Sequence, residues 1–98
     1  MLVKLGTHIF NLRYLVDIEL RSIGVAEKEG VFFILNNPAS SFLYYTGNKE
    51  VSRLIHNHIW DCIKNALHHN DNYCEISESR LVIEVNNTLR EQGSDLRI

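Results

Sequence analysis

From Tyr14 to Ile23 the chain alternates between apolar and polar positions. Val16, Ile18 and Leu20 fall on one side, and Asp17, Glu19 and Arg21 on the other. A period of two predicts a strand with one buried and one wet face. Val31-Phe32-Phe33-Ile34-Leu35 is apolar throughout and rich in β-formers, which predicts a more central strand. Phe42 to Thr46 follows the turn-forming cluster Asn36-Asn37-Pro38-Ala39, a spacing that suits a hairpin. Near the start, Leu2 to Leu5 precedes a Gly6-Thr7 turn, after which His8-Ile9-Phe10 can pair back. The segment Gly24 to Gly30 carries Glu27, Lys28 and Glu29 and predicts an exposed hairpin tip. Residues 1–46 therefore predict an antiparallel meander of four or five short strands.

After Gly47 the period changes. Val51, Leu54, Ile55, Ile59, Cys62, Ile63, Ala66 and Leu67 recur at helical spacing with no Gly or Pro between them. Asn48 is a good N-cap and Glu50 suits the positive end of the helix dipole, so a helix is predicted over about 48–69. Leu81, Val82, Val85 and Leu89 predict a shorter helix over about 79–92, capped by Ser77 or Ser79 and stopped by Gly93. Residues 80–85 taken alone read equally as a strand, but the stripe continues to Leu89. The expected fold is α+β: the meander packed on one long helix, with a short C-terminal helix, in a single domain spanning 1–98.

The apolar arc of the long helix covers roughly 240°, wider than the ~100° stripe of an ordinary surface helix. Val51, Ile55, Ile59, Cys62 and Ala66 form one face. Ile63, Leu67 and Trp60 extend it sideways with His56 between them, and Arg53, Asn57, Lys64 and His68 form the polar strip. One sheet cannot cover such an arc. One expectation lays the C-terminal helix over Trp60 and Leu67; a second, compatible with it, docks a partner on Trp60, Ile63, Leu67 and His56. A homodimer is the expected assembly.

Composition narrows the partners. Of 98 residues, 45% are hydrophobic and 22% charged, as in a globular domain. Ten Lys and Arg stand against twelve Asp and Glu, and no two basic residues adjoin. That scatter argues against nucleic acid, which recruits a basic field, and against an anionic membrane. No stretch approaches the ~20 apolar residues of a membrane span. With no signal-like run at the start and only Cys62 and Cys74 available, a cytoplasmic protein with free thiols is expected.

Five histidines and two cysteines raise metal chemistry. His58 and Cys62 lie four apart on the helix, and His68, His69 and Cys74 follow its end, which makes these five the candidate ligands. No C-x-x-C or H-E-x-x-H spacing supports them, so metal is not expected and no cofactor is implied. His58 also stands where a base for a Cys62 nucleophile would, but Cys62 falls within the apolar face. Asp17, Glu19, Glu27 and Glu29 read as solvated carboxylates, and the five glycines sit at five separate turns rather than in a phosphate loop. Phe32, Phe33, Phe42, Tyr44 and Tyr45 crowd two neighbouring strands. Alternation sets Phe42 and Tyr44 on one face and Leu43 and Tyr45 on the other. Tyr44 and Tyr45 join the candidate interface residues.

Three functions are compatible with these features. The first is a non-catalytic interaction or regulatory module that works as a homodimer. The second is a small-ligand or metal-binding protein built on the His/Cys group. The third is an enzyme whose site forms across a dimer interface, which would leave no single-chain catalytic motif.

Overall fold

A computed structural model of the 98-residue chain describes residues 1–24 and 27–98. Strand β1 (Leu2–Leu5) turns through Gly6-Thr7 into β2 (His8–Asn11). Gly6 has φ +60 at the first turn position, the backbone that a two-residue hairpin of type II′ requires and that glycine adopts without strain. A single 3₁₀ turn, Leu12–Tyr14, leads to β3 (Leu15–Ser22), followed by β4 (Lys28–Leu35) and β5 (Phe42–Asn48). Helix α1 (Lys49–His68), strand β6 (Tyr73–Ile76) and helix α2 (Glu78–Glu91) complete the chain.

The fold is α+β, but the strands do not form one meander. They make two three-stranded sheets, ordered β2-β1-β6 and β3-β4-β5. The 3₁₀ turn separates the first hairpin from β3. On the other side of that hairpin, β1 pairs in parallel with β6, setting Leu2 beside Tyr73 and Leu5 beside Ile76. Strand β6 has no counterpart in the sequence reading. Its four residues follow a polar stretch, and only two of them, Cys74 and Ile76, turn inward.

Alternation on β3 holds for Ile18, which is buried, but fails at Val16, which is 62% exposed. A bulge explains the difference: Leu15 opposes Leu35 and Asp17 opposes Ile34, leaving Val16 as the extra residue. A second bulge in β5 sets Tyr45 opposite Val31 and Leu43 opposite Phe32, with Tyr44 between them. Phe42, Tyr44 and Tyr45 therefore all pack on the core while Leu43 faces out, so the two faces are not divided as strict alternation requires. The expected hairpin tip is also shorter. Lys28 and Glu29 belong to β4, while Val25 and Ala26 lie outside the described residues.

Both helices carry the ends their sequences announce. The Asn48 side chain accepts from the Glu50 amide at 2.9 Å and caps α1. Asn70, at φ +56, closes it through bonds from the Asn70 amide to Leu67 O and from the Asp71 amide to Ala66 O. Helix α2 begins at Ser77, whose hydroxyl accepts from the Arg80 amide, and ends at Gly93, φ +74, with the equivalent pair of bonds. Residues 80–85 are helical.

One core joins both sheets and both helices. Val51, Ile55, Ile59, Ile63 and Ala66 form its spine on α1, and Val3, Leu5, Val31, Phe33, Val85 and Leu89 are among the residues packed around it. Aromatic rings bind the two sheets together. Phe33 stacks on Phe42 at 4.8 Å and meets Phe10 of the other sheet edge-on at 5.6 Å, while His8 stacks on Phe42 at 3.9 Å. Phe33 is fully buried at the middle of this group. Phe33→Ala is expected to lower unfolding free energy by about 3–5 kcal/mol, because the cavity would open between the sheets. Urea denaturation monitored by circular dichroism measures it.

Candidate functional site

The two flanks of α1 carry different surroundings, and each holds a cavity. On one flank His56, Trp60, Ile63 and Leu67 face Leu12, Leu15 and Val16 across a groove of about 440 Å³. Trp60 is 40% exposed and Leu67 48%, so α2 does not cover them as one expectation required. Ile63, expected among the contact residues, is fully buried beneath them. His56 is half-buried, and its Nε2 lies 2.8 Å from the Ile18 carbonyl oxygen. Nε2–H therefore donates to β3, which ties the helix to the strand and leaves Nδ1 beside Asn57.

Helix α2 packs along the opposite flank. There His58 Nδ1 lies 3.2 Å from Glu84, whose other oxygen takes Arg80 Nε at 3.0 Å. A cavity of about 540 Å³ opens between α1, β6 and α2, and its walls bring together His58, Cys62, His69 and Cys74. His68 is exposed and does not line this cavity. Three of these four side chains, His58, His69 and Cys74, are already engaged within the chain. His69 Nδ1 is 2.7 Å from the Asn65 carbonyl, and the Cys74 thiol is 3.8 Å from the Cys62 carbonyl. Among the described residues, no three His, Cys, Asp or Glu side chains gather into a group that could hold a metal ion.

Burial is the main cause that raises the pKa of both thiols. The negative charges of Glu84 and Asp61 add to it at Cys62, and Cys62 and Asp71 add to it at Cys74. A nucleophile or a metal-bound sulfur needs the thiolate, so these surroundings oppose both chemistries. His58 turns to Glu84 rather than forming a pair with Cys62.

The tyrosines are drawn inward as well. Tyr44 donates its hydroxyl to Glu78 Oε2 at 2.6 Å, linking β5 to the first turn of α2. Glu78 in turn lies over Gly6, where a Cβ would strike its carboxylate. Burial, then the Glu78 hydrogen bond and charge, push the Tyr44 pKa far above the ordinary phenol value. Burial alone raises Tyr45. Both rings are half-buried, so their share in any contact surface is small.

Comparison of the chain with protein-family models, curated proteins and solved structures gives no match. Sequence reasoning identified the surplus apolar flank of α1 but missed the opposite wall of the groove. Leu12 and Leu15 were visible as apolar residues around Tyr14; the bulge that presents Val16 was not.

Two outcomes test this description. A phenol with a raised folded-state pKa stabilises the protein below its unfolded pKa near 10, and that contribution is lost as pH rises above it. Alkaline unfolding of wild type should therefore shift on Tyr44→Phe, and absorbance titration should lose its latest phenolate component. For the thiols, Cys74 is 7% exposed, so a disulfide reagent at neutral pH should modify it in native protein far more slowly than in urea. Mass mapping of the labelled cysteines reads the result.

Proposed function

We propose that the protein is a non-catalytic interaction module of regulatory type, acting through the groove between the Trp60 flank of α1 and the Leu12–Val16 segment. The observation that carries this reading is the coincidence of three large exposed apolar side chains, Val16, Trp60 and Leu67, at one groove. Exposed apolar residues scattered singly need no explanation, but a contiguous set beside a concave surface marks a contact site. Trp is the residue type most often found carrying the energy of such contacts.

The alternatives find less support. The cavity on the α2 flank has the volume of a small-ligand site, but His58, Glu84 and Arg80 in its walls are tied to one another and burial raises the pKa of its thiols. For an enzyme, the candidate base His58 turns to Glu84 rather than to the candidate nucleophile Cys62. The contact surface consists of Trp60, Leu67 and their neighbours across the groove, with His56 fixing the distance between its walls.

If Trp60 serves a contact rather than the core, Trp60→Glu should cost no more than about 1.5 kcal/mol of unfolding free energy. Ile63→Ala, one turn along but fully buried, should cost about 2–5 kcal/mol. A photo-crosslinking amino acid at position 60, introduced in cells that produce the protein, should give a discrete adduct. The same group at exposed Leu43 should not. A folded variant that forms no adduct at position 60 would overturn the reading.

A further inference from the structure

We infer that the occupant of the Trp60 groove is a second copy of this chain, docked about a two-fold axis so that each Trp60 enters its partner's groove. This rests on the reading of the groove as the contact surface and adds the partner and the mode of docking.

The area is sufficient. Val16 is 62%, Leu67 48% and Trp60 40% exposed, and Leu12 and Leu15 are half-buried beside them. At the ~200 Å² of a large side chain, these residues present about 400 Å² of apolar surface. A standard interface buries about 800 Å² on each partner, a little over half of it apolar. The groove and its rim match that apolar share.

The shape fits a copy of itself. A two-fold interface uses the same patch twice, so the patch must carry both a projection and a receptor. Trp60 and Leu67 form part of the wall of a hollow of about 440 Å³, and each leaves a large part of its side chain exposed at the rim. The charges agree with this. Asp17 lines the hollow, and next to the lining residues in sequence, or one helical turn away, stand Arg13, Glu19, Arg53, Asp61, Lys64 and Asp71, with Lys64 and Asp61 paired at 3.3 Å. Three basic and four acidic side chains are thus mixed around the patch, so identical surfaces meet without a strong like-charge field. They offer no field to attract a polyanion.

Joining of β3 edges is disfavoured as the mode of assembly. Strand β3 is at the margin of its sheet, but Val16 bulges from it, His56 takes the Ile18 carbonyl, and Asp17, Glu19 and Arg21 crowd it with charge. Each is a device that blunts an edge against further pairing. On this side of the molecule the helix flank is therefore the better surface for assembly than the neighbouring strand edge.

Light scattering coupled to size-exclusion chromatography, across a wide concentration range, tests the inference. Wild type should approach twice the 11.4 kDa chain mass. Emission from Trp60, the single tryptophan, should shift to shorter wavelength over the same range. Trp60→Glu and Val16→Lys should each weaken the dimer roughly thirtyfold or more while remaining folded by circular dichroism. Leu43→Glu, exposed on the other sheet face, should leave it unchanged. If Trp60→Glu fails to fold, Val16→Lys carries the test alone. A monomer at every concentration, or a dimer that survives both groove substitutions, overturns the second copy as occupant. Crosslinking at position 60 then separates the two claims. An adduct with a different protein keeps the interaction reading and replaces the partner, whereas no adduct ends both.

Discussion

Every buried surface of this protein converges on one ridge of α1. Val51, Ile55, Ile59, Ile63 and Ala66 advance by three or four residues along a single line, and none is more than 7% exposed. Neither three-stranded sheet is large enough to be stable without a second layer, and both find it here. Strand β1 has only four residues, yet Val3 and Leu5 are fully buried because β2 and β6 flank it and the shared core lies over it. The first and last strands of the chain are thus held side by side. Closing that parallel pair brings together segments about seventy residues apart, an ordering cost that local pairing alone would not offset.

The parts of the fold legible in the sequence are those specified by short-range chemistry. Asn48 and Glu50 at the start of α1, Ser77 before α2 and Gly93 after it each act within one turn, and each stands where expected. The strands of β3, β4 and β5 were equally visible as runs. What escaped was non-local. The split into two sheets depends on β6, whose neighbour is β1, and no local pattern in Tyr73-Cys74-Glu75-Ile76 announces that pairing. Bulges escaped for a related reason. An extra residue breaks the alternation where it stands, so Val16 turned outward and Tyr45 joined Phe42 and Tyr44 on the core side without any change of composition.

The candidate site divides the same way. The excess width of the apolar arc on α1 was legible, because helical geometry converts spacing directly into direction. Which neighbour covers which part was not. Helix α2 lies on the His58 and Cys62 flank, where Glu84 meets His58 and Leu81 and Cys74 enclose the cavity. The His/Cys group consequently became an internally bonded seam between α1, β6 and α2. His68 stays outside it, since the helix ends there and Asn70 reverses the chain.

The exposure of Trp60 follows from where helix α2 packs. Helix α2 is 14 residues long, about 21 Å, and its buried residues Leu81, Val85 and Leu89 form a single line. A stripe that narrow seals one flank of α1. Among the described residues, the other is faced by a 3₁₀ turn and by β3 from Leu15 to Ile18, where an unbulged strand would direct Val16 toward the core. The bulge turns it outward instead, adding an apolar side chain to a rim that already holds Trp60 and Leu67. An edge can be blunted by a bulge with a polar residue at its apex, which would protect the strand without widening the apolar surface. With valine there, the same backbone irregularity both disfavours further strand pairing at β3 and, on the proposed reading, enlarges the surface offered to a partner. Blocking one mode of association while furnishing another is the combination a specific contact requires.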